Sequence, residues 1–172
     1  PLVISITAFG EVTEHPPLTR GGALPGDQIV VTGSFGGSIL GKHLDFDPRV
    51  RDALLMNANY KLHAGIDVSD GLTLDLWRLA QESGCGAVLE LESIPISDAA
   101  RSLEDLKSPL DHALGDGEDF ELIVALPPEE SRHLLRDQPL GVPVTRIGSF
   151  VPEPGLWQQT EEGRRRPLDP LG

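Results

Sequence analysis

Two carboxylates and one hydroxyl fall within four residues at Asp67-Val68-Ser69-Asp70, immediately before Gly71 and a helical pattern. Carboxylates so placed can hold a hard divalent cation. A helix start, with unpaired N–H groups and partial positive charge, suits a phosphate. Together these are what a polyphosphate carrying its own cation requires. A Ser/Asp cap ahead of an amphipathic helix also has a purely structural use, and the local pattern leaves both readings open. Asp67 adds weight to the first, because Ile66 and Val68 set it in an apolar, strand-like run where an unpaired carboxylate is costly.

The elements that must carry these residues follow from periodicity. Leu72, Leu76, Leu79 and Ala80 form one face of a helix, with Ser69 or Asp70 as its N-cap and Gly84 as its stop. Upstream, Leu2 to Val12 reads as a strand and Gln28 to Thr32 as another, followed by the loop Gly33-Ser34-Phe35-Gly36-Gly37-Ser38. That loop fits neither phosphate-binding glycine motif, and Lys42 is not where a P-loop lysine stands. Asp47-Pro48 predicts a helix from Pro48 to about Asn59, capped by Asp47. Downstream, Ala87 to Leu91 reads as a strand, Ser97-Asp98 opens a helix to about Leu106, and Pro109 to Leu114 adds a helical turn. Gly115-Asp116-Gly117-Glu118-Asp119-Phe120-Glu121 is an acid-bearing turn running into a strand to Leu126. A helix then reaches about Arg136, a strand covers Val144 to Phe150, and Leu156 to Arg166 form a hairpin. Strands and helices alternate irregularly, which predicts a layered α+β fold rather than a doubly wound parallel sheet.

Composition narrows the partners. A net charge of −13 over 172 residues excludes the basic footprint that nucleic acid or an anionic membrane needs. No apolar run is long enough to span a bilayer. The opening Pro1-Leu2-Val3 has no basic leader and no Met, which predicts a start inside a longer chain. The single cysteine, Cys85, rules out an internal disulfide or a Cys-cluster metal site and fits a reducing, cytoplasmic compartment. The five histidines show no metal-ligand spacing. Trp77 reads as core, Trp157 as core or a stacking ring, and Arg164-Arg165-Arg166 as a solvated strand end.

In this order the motifs resemble the C-terminal part of thiamine-monophosphate kinase, in the superfamily that includes aminoimidazole ribonucleotide synthetase, selenophosphate synthetase and a hydrogenase-maturation protein. The resemblance rests on Arg20-Gly21-Gly22-Ala23 with Gly26-Asp27, on Val31-Thr32-Gly33, and on Asp47-Pro48-Arg49-Val50. It continues through Ile66-Asp67-Val68-Ser69-Asp70-Gly71-Leu72 with Asp75-Leu76, through Ile94-Pro95-Ile96 and through Gly117-Glu118-Asp119-Phe120-Glu121-Leu122. It implies a layered mixed sheet with helices, as in the C-terminal domain of aminoimidazole ribonucleotide synthetase. Residues 1–12 would be the closing strand of a missing N-terminal domain, and residues 13–172 the C-terminal domain.

The resemblance further implies transfer of the ATP γ-phosphoryl group to thiamine monophosphate, giving thiamine diphosphate. Asp67 and Asp70 would be Mg²⁺ ligands, Arg20 and Ser69 nucleotide contacts, and Glu118 a contact to the thiamine substrate. It also implies a parent that can form a homodimer, and an inactive isolated fragment. The alternatives are another ATP-dependent synthetase of the superfamily, or a relative that binds nucleotide or a partner without catalysis. The chain departs from the family pattern in three places. Asp116 replaces the first of two glycines before Glu-Asp, the stretch before Pro48 is short, and a terminal Gly-aromatic-x-His-Phe is absent.

Overall fold

A computed structural model describes residues 3–7, 9–12, 14–160 and 163–172. In chain order the elements are β1 (Gln28–Thr32), α1 (Val50–Asn59), β2 (Ala64–Asp67), α2 (Leu72–Glu82) and β3 (Gly86–Leu89). Then come α3 (Asp98–Ser102), α4 (Pro109–Gly115), β4 (Leu122–Leu126), α5 (Pro128–Asp137), β5 (Val144–Val151), β6 (Gly155–Gln159) and β7 (Arg165–Pro167). The strands form one sheet in the order β2-β4-β1-β5-β3-β6-β7. Neighbours are antiparallel except β3 and β6, which run parallel. The sheet is therefore mixed, as the family resemblance implies, and the fold is the layered α+β arrangement the element order predicts.

Alternation along β1 sorts the core into two layers. Ile29 and Val31 face Leu72, Leu76 and Leu79 of α2. Val30 faces the opposite way, toward Met56 of α1 and Leu134 of α5. Each fully buried leucine contributes about 1.5–3 kcal/mol, so α2 is held by its apolar stripe more than by helix propensity. Gly84, at φ +68°, follows the last turn of α2 and ends it as predicted. Trp77 packs against the α2 layer, and the buried Cys85 is a free thiol within it.

Four local expectations are corrected. Residues 3–7 and 9–12 form no strand, and Val3, Ile4, Ile6, Phe9 and Val12 stand exposed; Leu2 lies outside the described residues. An extended segment without a neighbouring strand has nothing to hold it in that form. α1 begins at Val50 rather than Pro48, and Arg49, not Asp47, occupies the cap position. The Arg49 side chain is drawn inward to Glu121, which fixes the backbone ahead of the helix. α3 stops at Ser102, four residues short of Leu106, because Asp105 turns the chain by accepting from the Lys107 N–H and meeting His112. Neither Ser69 nor Asp70 caps α2; Gly71 does, without a side-chain bond.

Candidate functional site

The β2–α2 junction carries the acid motif with a polarity opposite to that of an ordinary cap. The buried Asp75, in the first turn of α2, accepts from the N–H groups of Ser69 (3.0 Å) and Asp70 (2.8 Å). Arg78 then bonds both Asp75, at 2.9 Å, and the half-exposed Asp70. The helix therefore reaches back to fix the loop, and the loop's own side chains are left to face outward. Asp67 is exposed at the end of β2, opposite Leu122, and no described residue hydrogen-bonds its carboxylate. The cost expected of a buried carboxylate at this position does not arise.

A second strand end closes on this loop. Val68, Ser69 and the segment Glu118 to Glu121 continue the β2–β4 pairing irregularly. Glu118 N donates to Ser69 O, Phe120 N to Val68 O, and Val68 N to Glu121 O, each at 2.8 Å. Glu118 and Phe120 adopt left-handed backbone, at φ +62° and +51°, a strained state for non-glycine residues. The result sends Glu118 and Phe120 to the surface and Asp119 and Glu121 inward. Ser69, Asp70, Gly117, Glu118 and Phe120 line one open depression of about 770 Å³. Phe120 also walls a second hollow with Asp67, Phe46 and Arg49, its ring stacked on Phe46 at 4.0 Å. Four of the five predicted residues, Asp67, Ser69, Asp70 and Glu118, thus border two hollows that share Phe120.

Arg20 is not gathered with them. Its side chain is exposed, and its carbonyl accepts from the Ser83 hydroxyl at the C-terminal end of α2. Ser69 and Asp70 sit at the other end of that helix.

The inward residues explain how the strained segment is held. Glu121 accepts from Thr32 Oγ1 (2.7 Å), Lys42 Nζ (2.9 Å), and Arg49 through Nε and Nη2 (2.9 Å each). Burial pushes this carboxyl up, but the bonds from Arg49, Thr32 and Lys42, with the Lys42 charge, leave it below its ordinary pKa. Asp119 goes the other way. Burial lifts it to about 6, against the opposing Gly36 N–H bond and Lys42 charge. Its Oδ2 accepts from Gly36 N at 2.9 Å, while Oδ1 is buried with no hydrogen-bond partner among the described residues.

The glycine loop is committed to the protein itself. Gly36 N–H goes to Asp119, Gly37 N–H to Asp116 at 2.9 Å, and Ser38 Oγ donates to Gly117 O at 2.6 Å. Those N–H groups are spent on carboxylates of this chain. Asp116, the departure from two glycines, therefore serves as a latch between this loop and α4.

The sequence motifs include Asp75 and Glu121 without assigning them a supporting role, and sequence reasoning gave none to Lys42 or Arg78. A signal for Glu121 existed, since Asp119 and Glu121 are two apart while Glu118 and Phe120 alternate with them, the period of a strand with one face buried. Arg78 follows Asp75 by three, a spacing that places the two side by side on one helix face.

A mixed sheet with helices on both faces, and acid-bearing strand ends converging beside a helix start, define the class. The family model for the AIR synthase related protein, C-terminal domain, matches residues 24–156, and the chain belongs to that family. Within it the chain is similar to thiamine-monophosphate kinases. The one from Rhodopirellula baltica is 47% identical over 174 residues, covering 100% of this chain and 54% of that protein. The structure of thiamine-monophosphate kinase from Stenotrophomonas maltophilia K279a matches with a TM-score of 0.70 and 29% identity, over 87% of this chain and 54% of that one. AaThiL complexed with AMPPCP and TMP matches with a TM-score of 0.69 and 25% identity, over 90% of this chain and 53% of that one. The chain spans about half the length of the relatives it matches.

Proposed function

We propose that this chain is the C-terminal part of an ATP-dependent kinase that converts thiamine monophosphate to thiamine diphosphate. The observation that carries the reading is the 47% identity to the Rhodopirellula baltica thiamine-monophosphate kinase, which extends over 100% of this chain. The AaThiL complex with AMPPCP and TMP supports the same pair of ligands.

The residues fit the roles. Ser69 and the α2 start would take the nucleotide, and Glu118 the cationic thiamine head, for which a carboxylate needs no acid–base role. Asp67 and Asp70 would hold Mg²⁺. Their oxygens are the right donors, Asp67 has no hydrogen-bond partner among the described residues, and Mg²⁺ takes one or two protein carboxylates plus substrate phosphates rather than a closed cage. No group of three potential ligands occurs among the described residues, in keeping with a site completed by phosphate and by other parts of the protein. Bound Mg²⁺ would offset the repulsion between two anionic reactants. The chain's own contribution is positioning: Asp75 and Arg78 orient the loop, and the Glu121 network holds Glu118 outward.

The same reading makes residues 1–12 the closing strand of an N-terminal domain, which the exposed Val3, Ile4, Ile6 and Phe9 favour. Arg20 would meet nucleotide only in the longer protein, which would be cytoplasmic and able to form a homodimer. Among the described residues no helix is long and apolar enough to cross a membrane. The test is a panel of phosphate acceptors offered with ATP and Mg²⁺ to the full-length protein, with products identified by mass. Thiamine diphosphate is expected; ATP consumption with another acceptor and none with thiamine monophosphate overturns the reading.

A further inference from the structure

His112 is buried on α4, yet its two ring nitrogens both meet carboxylates: Nδ1 lies 2.9 Å from Asp116 Oδ2 and Nε2 3.1 Å from Asp105 Oδ1. A neutral imidazole has one N–H and can satisfy only one of them. The ring that fits both is the doubly protonated cation. The Asp116 oxygen it holds is the one that accepts Gly37 N–H, and Asp116 N–H closes α4 on the His112 carbonyl at 2.9 Å. Gly117 and Glu118 follow directly, with Gly117 O bound by Ser38 and Glu118 N–H by Ser69 O. The glycine loop, the end of α4 and the base of Glu118 therefore converge on one ion-paired oxygen.

We infer that His112, as an imidazolium, is a positioning residue that fixes Glu118 through Asp116, so that recognition of the cationic substrate depends on the charge of His112. This rests on the kinase reading above for the identity of that substrate. The charged groups around His112 are Asp105 and Lys107 from the α3–α4 connection, Asp111 on its own helix, and Asp116, which Lys107 Nζ also approaches at 3.4 Å. α3 packs Ala100 inward and keeps Asp98 and Arg101 exposed, the glycine loop offers backbone and Ser38, and Asp70 and Glu118 border the depression His112 lines. Burial opposes the charge, but the bonds and charges of Asp105 and Asp116 outweigh it, so the pKa stands above the ordinary 6.5. The latch is therefore complete below 6.5 and is lost as pH rises through the higher folded value.

The experiment uses the full-length protein in two readouts. Nuclear magnetic resonance of labelled His and Glu follows the His112 ring and the Glu118 amide with pH, independently of turnover. The Glu118 amide is expected to shift with the midpoint of His112, and in Asp116→Asn that coupled shift disappears. Kinetics then follow KM for thiamine monophosphate. It should rise about tenfold as His112 deprotonates, the order of one lost charge-assisted hydrogen bond, with kcat nearly unchanged. His112→Gln should show the high KM at every pH. A His112 that titrates at or below its ordinary value, or a Glu118 amide indifferent to it, overturns the inference. A coupled shift with no turnover of thiamine monophosphate at any pH instead overturns the kinase reading and leaves the latch standing.

Discussion

Replacing Glu121 by Gln perturbs the support of the site without touching its surface. Four donors converge on this carboxylate at 2.7–2.9 Å, and the residue is 2% exposed. Thr32 and Arg49 Nε share one carboxylate oxygen, Lys42 and Arg49 Nη2 the other, so a Gln amide, with one acceptor oxygen and an NH₂ group turned toward donors, loses two of the four bonds: one from Arg49 and one from either Lys42 or Thr32. Lys42 is 31% exposed and can recover water, but the Arg49 side chain is 14% exposed and cannot do so freely. Removing one member of a buried charge cluster costs about 3–5 kcal/mol, and the partial exposure of Lys42 favours the lower end. Urea denaturation of the 172-residue chain, followed by tryptophan fluorescence, should lose about 1–3 M in midpoint for such a loss. The acid side gives an independent check. Because the folded pKa of Glu121 lies below its ordinary 4.5, its stabilisation is present above pH 4.5 and fades as pH falls through the lower folded value. The gap between variant and wild type should close there. A loss below about 1 kcal/mol at neutral pH, the scale of an exposed ion pair, would refute the reasoning.

Asp119 predicts the opposite pH trend. Its pKa is raised from 3.8 to about 6, so the fold binds its proton more tightly than the unfolded chain and stability falls as pH rises through that window. Asp119→Asn, which can still accept the Gly36 N–H, should abolish that fall and match or exceed wild type at neutral pH by up to about 2 kcal/mol; parallel stability curves for the two proteins would contradict it. Calorimetry of the isolated chain should find no sub-micromolar Mg²⁺ site, because Asp70 is already paired with Arg78 and no third ligand is grouped with the acids among the described residues. Tight binding would mean that Asp67 and Asp70 form a sufficient cage alone.

The strands and helices that build the sheet were legible because their signals are local. The α2 stripe from Leu72 to Leu79, the Gly84 stop and the β1 run Gln28 to Thr32 each depend on neighbours a few residues away. Ser69, Asp70 and Glu118 meet across some fifty residues of chain. Their juxtaposition followed from the pairing of β2 with β4, which periodicity cannot supply. Two of the errors lie where a side chain outside the local pattern overrides it. Asp47-Pro48 is a good helix start, but Arg49 answers to Glu121, 72 residues away. Ser69 and Asp70 are good caps, but Asp75 takes their N–H groups, Arg78 holds the Asp70 carboxylate, and both residues border the depression. The glycine loop fits no phosphate-binding motif, and its Gly36 and Gly37 N–H groups go instead to Asp119 and Asp116.

The central claim is that Asp67, Ser69, Asp70 and Glu118 are one part of a kinase site completed by the rest of a longer protein. Thiamine diphosphate formation from ATP and thiamine monophosphate, measured side by side for the full-length protein, its Asp67→Asn variant and the isolated 172-residue chain, tests it most directly. Phosphoryl transfer depends on holding donor, acceptor and cation together, and forfeiting that arrangement costs on the order of 7 kcal/mol or more of barrier lowering. The account predicts Mg²⁺-dependent product from the full-length protein, strongly depressed turnover in a folded Asp67→Asn variant, and no detectable product from the isolated chain. Wild-type rates in the Asn variant, or turnover by the isolated chain, would contradict it.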